Sequence, residues 1–87
     1  MLETLLNHKV VIDLGSKYVC LGTLLSIQSD YLELKNADLH DLRDTDTSRE
    51  NYVAACRSTG IKRNRRRLIL FRRDIVAISL LEDVVDD

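Results

Sequence analysis

The stretch from Val10 to Leu34 places the tightest constraint on the fold of this chain. Apolar and polar residues alternate through most of it, which is the period of β-strands whose successive side chains point to opposite faces. Turn-forming residues interrupt the alternation at Gly15-Ser16 and at Gln28-Ser29-Asp30. The stretch therefore predicts three consecutive antiparallel strands, which cover residues 9–14, 17–27 and 31–35.

Gly22 falls inside the second predicted strand. An internal glycine weakens a strand, so it usually marks a sharp bend, a bulge or the close approach of another backbone. Strong bending at a glycine allows a small sheet to curl into a barrel. We therefore expect a bent sheet whose interior is filled by the side chains of Val10, Ile12, Leu14, Cys20, Leu32 and Leu34.

Short elements flank this stretch on both sides. Leu2, Leu5 and Leu6 have the spacing of one helix face and predict a short N-terminal helix over residues 2–7. Two further strands are predicted at 66–71 and 75–81, and an acidic tail follows at 82–87. The predicted fold is mostly β: a short helix, then a five-stranded, strongly bent antiparallel sheet closed into an SH3-like barrel.

A charged segment, about 38–64, is inserted between the third and fourth predicted strands. Thr47 and Glu50 match a capping box, and Gly60 suits a helix C-terminus. These signals predict a helix over 48–58 that buries Tyr52, Ala55 and Cys56. The alternative is a long β-hairpin extension, because Tyr52-Val53 and Ile61 also fit strands.

Length and composition indicate one soluble domain, residues 1–87. So small a domain gains limited stability from its own core, which makes oligomerisation a natural supplement. The net charge of −1 predicts no polyanionic partner by itself, but residues 61–74 hold seven basic side chains and one acidic one.

Several function classes lack support in the sequence. The N-terminal residues are not expected to be a signal peptide, and no apolar run approaches the ~18–20 residues of a membrane span. Cys20 and Cys56 are expected to be reduced thiols in a cytoplasmic protein. The histidines and cysteines lack the paired spacing of zinc ligands, and no nucleophile or phosphate-loop motif is present. We therefore expect no catalytic residue, metal or cofactor.

The strand pattern resembles the Sm-like family of small RNA-associated β-barrels. The residues that match its first motif are Val11, Leu14, Gly22, Leu24 and Ile27. The family's second motif is matched by the apolar pair Ile69-Leu70, the turn from Phe71 to Asp74 and the strand Ile75–Ile78. The resemblance implies an Sm-like barrel interrupted by the insertion. It also implies a ring, commonly of six or seven subunits, in which the fourth strand of one subunit pairs with the fifth of the next.

The matches are weaker at the positions that bind RNA in that family. Where the family usually has Asp-x-x-x-Asn, this chain has Ser29–Glu33, in which Asp30 is the candidate aspartate. The Arg-Gly of the second motif is replaced by Phe71-Arg72. The resemblance therefore supports the barrel more than it supports uridine-specific binding.

Basic side chains provide the candidate nucleic-acid site, because guanidinium groups bind phosphate in a bidentate manner. Tyr31 could stack on a base or serve as an ordinary strand aromatic. The candidate residues are Tyr31, Lys62, Arg63, Arg65, Arg66, Arg67, Arg72 and Arg73. Together with the ring that the resemblance implies, these residues predict a non-enzymatic, ring-forming homo-oligomer that binds RNA or single-stranded nucleic acid. The alternative is a structural scaffold for a protein partner, in which acids at 38–46 neutralise the arginines.

Overall fold

The computed structural model describes residues 1–85 and contains five antiparallel strands and one α-helix. The hydrogen-bonded order of the strands is β4-β3-β2-β1-β5, so β4 and β5 form the two edges. The described part of the chain pairs neither edge on its outer side. The elements are β1 (Lys9–Leu14), β2 (Tyr18–Ile27), β3 (Tyr31–Asp41), α1 (Arg49–Thr59), β4 (Arg65–Phe71) and β5 (Ile75–Leu80).

Gly22 lies where β2 and β3 approach each other closely. A Cβ atom at this position would lie 2.9 Å from the Cβ of Ala37 and 3.3 Å from a methyl group of Leu34. The register between β2 and β3 shifts at this point, with one extra residue on β3. The part of β3 that contains the extra residue includes Asn36, whose backbone is left-handed with a φ of 50°. The predicted close approach at Gly22 is therefore confirmed, and a β-bulge accompanies it.

The interior of the bent sheet holds the side chains that the strand period predicts. The buried cluster there consists of Val10, Ile12, Leu14, Cys20, Leu24, Leu32, Leu34, Ala37 and Leu70. Leu68, Ile75 and Ile78 from the edge strands pack against it while half-buried. The inward orientation predicted for β1 and β3 is confirmed.

Helix α1 covers the opposite face of the central strands. Val53 and Cys56 pack there against Val11, Val19 and Leu21, and Leu81 completes this second cluster. The insertion therefore forms a helix rather than a β-hairpin extension. Ala55 is exposed, because the buried stripe of α1 follows the i, i+3 spacing of Val53 and Cys56.

Several element ends differ from their predicted positions. The N-terminal helix is a single 3-10 turn, Leu2–Leu5. Strand β3 continues to Asp41, so residues 38–41 belong to the sheet and the excursion starts afterwards. The N-cap of α1 is Ser48 and not Thr47, since the Ser48 hydroxyl accepts a hydrogen bond from the Asn51 amide at 3.2 Å. Of the predicted acidic tail, Asp86 and Asp87 lie outside the described residues.

Candidate nucleic-acid interface

The outer face of β3 and β4 carries an aromatic pair at one end and a basic pair at the other. Tyr31 lies directly opposite Phe71, and Lys35 lies opposite Arg67. Residues that face each other in an antiparallel ladder project from the same side of the sheet. Phe71 is 51% exposed, which is unusual for so large an apolar side chain. We call the surface formed by Tyr31, Glu33, Lys35, Arg67, Ile69 and Phe71 the outer β3–β4 face.

The β4–β5 turn places two arginines beside the aromatic pair. The Arg72 amide donates to the Asp30 carbonyl at 2.9 Å, and the Arg72 guanidinium donates to the Gln28 carbonyl at 2.9 Å. These bonds hold the β4–β5 turn against the β2–β3 turn. The Arg73 guanidinium lies over the Phe71 ring, 5.2 Å from its centroid, at cation–π distance. Tyr31, which the sequence places far from Arg72 and Arg73, therefore meets them at one end of the sheet.

The basic run occupies the other end of β4 and the loop before it. All five of its basic side chains are exposed: Lys62, Arg63, Arg65, Arg66 and Arg67. Arg67 forms an ion pair with Glu33 at 3.4 Å on the outer face. Arg63 donates to the Asn36 side-chain oxygen at 2.8 Å. Within residues 1–85, none of the four ion pairs joins this run to an acid at 38–46.

A buried carboxylate fixes the start of β4. Asp38 is 3% exposed and accepts hydrogen bonds from the Tyr52 hydroxyl and from the Asn64 side-chain amide, the latter at 3.1 Å. Asn64 also exchanges two bonds of 3.1 Å with the backbone of Leu39. Burial raises the pKa of Asp38, and the nearby His40 opposes this shift. The network ties α1 to β3 and sets the position at which the chain enters β4.

His40 belongs to the same region. Its ring stacks on Tyr52 with centroids 3.8 Å apart and an interplanar angle of 11°. Its Nε2 atom is buried and has no hydrogen-bond partner among the described residues. His40 therefore packs as an aromatic plate between β3 and α1.

Two of the acids at 38–46, Asp38 and Asp41, have contacts other than the basic run. Asp41 forms a bidentate pair with Arg43, and these bonds lower the pKa of Asp41 to about 2. Asp38 is buried against Tyr52 and Asn64, as described above. The neutralisation of the arginines by these acids within one subunit, on which the scaffold alternative depends, is not seen among residues 1–85.

The two cysteine thiols are buried, and burial disfavours the charged thiolate. Cys20 and Cys56 are both free and buried, and burial raises the pKa of Cys20 to about 12. A thiol with so high a pKa is a poor nucleophile, since the thiolate is the reactive form. Among the described residues no three histidine, cysteine or acidic side chains come together as metal ligands. Residues 1–85 also contain no helix with the length and apolarity needed to cross a bilayer.

Sequence reasoning named Tyr31 and Arg67 as site residues but missed the other four members of the outer β3–β4 face, among them Phe71 and Lys35. Both are ordinary strand residues by type, and only the register Tyr31↔Phe71 and Lys35↔Arg67 gives them a place in the site. The exposed apolar side chain at the end of a strand was the one available signal for Phe71.

Comparison with known proteins supports the fold. No protein-family model and no curated protein matches the sequence. The structure of the Pyrococcus abyssii Sm protein in complex with a uridine heptamer is similar, with a TM-score of 0.63 at 14% identity. The match covers 91% of this chain and 90% of that one.

A chain of the NatC complex bound to CoA is also similar, with a TM-score of 0.61 at 13% identity. The match covers 98% of this chain and 95% of that chain. The TM-scores establish the fold, and identities this low leave the activity open. The five-stranded antiparallel sheet, the close approach of β2 and β3 at Gly22 and these two structural likenesses together show that the chain has an Sm-like fold.

Proposed function

We propose that this protein is a non-enzymatic, cytoplasmic, ring-forming homo-oligomer that binds single-stranded RNA. The binding residues in this proposal are Tyr31, Phe71, Arg72 and Arg73 at the turn end, with the basic run as an electrostatic supplement. Two free buried thiols suit a reducing compartment.

The cross-strand pair of Tyr31 and Phe71, with Arg73 over the Phe71 ring, is the observation that carries the proposal. An exposed Phe71 ring and a half-buried Tyr31 ring beside cationic side chains suit single-stranded nucleic acid, because bases stack on aromatic rings and phosphates bind cations. The similar Sm protein was solved with a uridine heptamer. That complex supports RNA as the ligand class, although this chain lacks the Arg-Gly of the family motif.

The two unpaired edges support assembly. Exposed strand edges are templates for pairing with another chain, and soluble proteins usually protect them. Strands β4 and β5 are the two ends of one sheet, so edge pairing between identical subunits is head to tail and closes into a ring if the rotation permits. A ring repeats the turn-end site once per subunit, which raises avidity for a single strand.

RNA binding is tested by the fluorescence anisotropy of a labelled oligouridine at two salt concentrations. We expect Tyr31→Ala to weaken binding about five-fold to 150-fold, since stacking on one base contributes about 1–3 kcal/mol. We expect Arg72→Glu/Arg73→Glu to weaken binding and to reduce the salt slope by about 1.4, because each single-strand phosphate contact adds about 0.7.

The matched control is Lys9→Glu/Arg57→Glu, which reverses two exposed charges outside the site. Binding by this control should stay within about two-fold of wild type, apart from the long-range field. If the turn-end variants and the control bind RNA equally, the proposed site is wrong. Oligomers that bind no RNA under any of these conditions would instead support the protein-scaffold alternative.

A further inference from the structure

Glu33 is the acidic member of the outer β3–β4 face, whose other members are aromatic, basic or apolar. It lies in the middle of that face, two residues along β3 from both Tyr31 and Lys35. Ile69 of β4 lies opposite it. A carboxylate repels the phosphates that the neighbouring basic side chains attract. The proposed RNA site therefore contains an acid that phosphate binding does not explain.

The Glu33 carboxylate is held from both sides. The Ser26 hydroxyl of β2 donates to one carboxylate oxygen at 3.3 Å, and the Arg67 guanidinium of β4 donates to the other at 3.4 Å. Ser26 lies opposite Glu33 in the β2–β3 ladder, so both side chains project from the same side of the sheet. Both hydrogen bonds are long, and each carboxylate oxygen has two lone pairs. Each oxygen can therefore accept a further hydrogen bond.

This ion pair is accessible to a ligand. The Glu33 side chain is 35% exposed, and the Arg67 side chain is 63% exposed. An exposed ion pair contributes little to stability, because water and salt screen its charges. The two side chains can therefore share their hydrogen-bonding groups with a bound molecule at little cost to the fold.

Together the two side chains present an ordered set of hydrogen-bonding groups. The carboxylate only accepts and the guanidinium only donates, so the pair offers two acceptors and then a donor. Tyr31 and Phe71 lie beside this set and provide rings on which a base can stack. Same-face neighbours on a strand are about 7 Å apart, which brings a base on the aromatic pair within reach of Glu33.

We propose that Glu33, with Arg67 beside it, selects guanine over uracil in the bound strand. This inference rests on the proposed RNA-binding function of the site, and it adds the base specificity. The Watson–Crick edge of guanine carries a donor at N2, a donor at N1 and an acceptor at O6. The two donors match the carboxylate oxygens, and O6 matches the guanidinium. Unpaired bases of single-stranded RNA are commonly recognised at this edge.

The other bases lack two adjacent donors. Uracil has one N3 proton between two carbonyl oxygens, so one carbonyl faces a carboxylate oxygen and repels it. Adenine and cytosine each offer one amino group beside a bare ring nitrogen, which also repels a carboxylate. The same pairing chemistry operates in duplex DNA, where acidic side chains accept from base amino groups and arginine donates to guanine O6. Guanine is therefore the base that satisfies both side chains.

The test is the fluorescence anisotropy of two labelled strands, hexauridine and the same strand with one central guanosine. The guanosine changes one base edge and leaves the phosphates unchanged. We expect the wild type to bind the guanosine strand about five-fold to 150-fold more tightly, which is the discrimination of one good bidentate contact. Inosine lacks the N2 amino group and should lose about two-fold to twelve-fold of this gain, the effect of one hydrogen bond.

Glu33→Gln tests which side chain provides the preference. The amide keeps the size of the side chain but replaces one acceptor with a donor, so the preference should fall to within about two-fold. Affinity for hexauridine should not fall, because a negative charge near the phosphates is removed. The matched control is Asp74→Asn, which removes an exposed negative charge in the β4–β5 turn, outside the outer β3–β4 face. It should keep the full preference.

The outcomes distinguish this proposal from the one on which it rests. Equal binding of both strands by the wild type would retain the RNA site and overturn guanine selection. A preference that Glu33→Gln leaves intact would overturn the role of Glu33, as would a variant that changes affinity for both strands by the same factor. A wild type that binds neither strand would overturn both proposals. The inosine comparison uses the wild type alone, and equal binding of inosine and guanosine would overturn the two-donor contact even if a variant does not fold.

Discussion

Replacement of Gly22 by alanine tests whether the close approach of β2 and β3 shapes this sheet. The added Cβ would lie 2.9 Å from the Ala37 Cβ, 3.1 Å from the Ala37 Cα and 3.3 Å from a Leu34 methyl group. The first distance is too short for two carbon atoms, and the second involves backbone that side-chain rotation cannot move. Strand β3 must therefore shift away from β2.

The magnitude follows from two opposing effects. Overpacking of a well-packed core costs about 1–3 kcal/mol. The loss of glycine's flexibility in the unfolded chain offsets about 0.4–1 kcal/mol of that cost. We expect Gly22→Ala to lower the free energy of unfolding by about 1–2 kcal/mol. For a domain of this size, each 1 kcal/mol corresponds to about 4–8 °C in Tm.

Gly15→Ala is the matched control for this experiment. The nearest atom to a Cβ at Gly15 is a Val76 methyl group at 3.7 Å, an ordinary van der Waals distance. This variant should unfold at or slightly above the wild-type temperature. Thermal unfolding is followed by circular dichroism at one protein concentration, because assembly makes Tm depend on concentration. Equal stability of the two alanine variants would refute the close-packing argument.

Two further predictions concern the insertion. Ser48→Ala should lower the free energy of unfolding, measured by urea titration, by about 1 kcal/mol, because the Asn51 amide loses its hydrogen-bond acceptor. Thr47→Ala should be nearly neutral, and equal effects of the two substitutions would contradict the observed cap. Burial raises the pKa of Asp38, so the wild type should lose stability relative to Asp38→Asn as pH rises from about 4, the ordinary pKa, through the raised value. The free energy of unfolding in urea of the wild type, minus that of Asp38→Asn, should therefore fall between about pH 3.5 and 7. A difference that stays constant or rises over this range would contradict the sign of the pKa shift.

The interior of the fold could be predicted from the sequence because alternate residues of a strand share one face, and β1 and the first half of β3 carry apolar side chains at alternate positions. Val10, Ile12 and Leu14 all enter one cluster, as their spacing predicts. Gly22 was recognisable because a glycine inside a strand requires a structural reason. These features depend on local sequence alone.

The second half of β3 escaped prediction because its period is broken. The left-handed Asn36 changes the phase of the strand, so Leu34 and Ala37 both face the interior although they are three residues apart. A search for alternation therefore ends at Lys35. The polar sequence Asn36–Asp41 then resembles a loop, while the structure pairs it with β2 and covers Asp38 with α1.

The candidate site was only partly predictable, because its arrangement depends on the register of β3 and β4. Arg72 and Arg73 were found from charge and turn position, but their neighbour Phe71 gains meaning only from its place opposite Tyr31. The basic run appears continuous in the sequence. In the structure, its members separate, because Lys62 and Arg63 lie in the loop before β4, whereas Arg67 lies on the outer β3–β4 face.

The inserted helix has a consequence for assembly that reaches beyond its own packing. By covering Val11, Val19 and Leu21, α1 buries the outer face of the central strands and leaves the two edge strands free. Its Tyr52 and the loop residue Asn64 both bind Asp38, so one carboxylate determines where the chain turns into β4. The insertion thus both removes the competing apolar face and positions the arginines at the start of the remaining edge. The two unpaired edges, and not the face covered by α1, are therefore where the proposed assembly should occur.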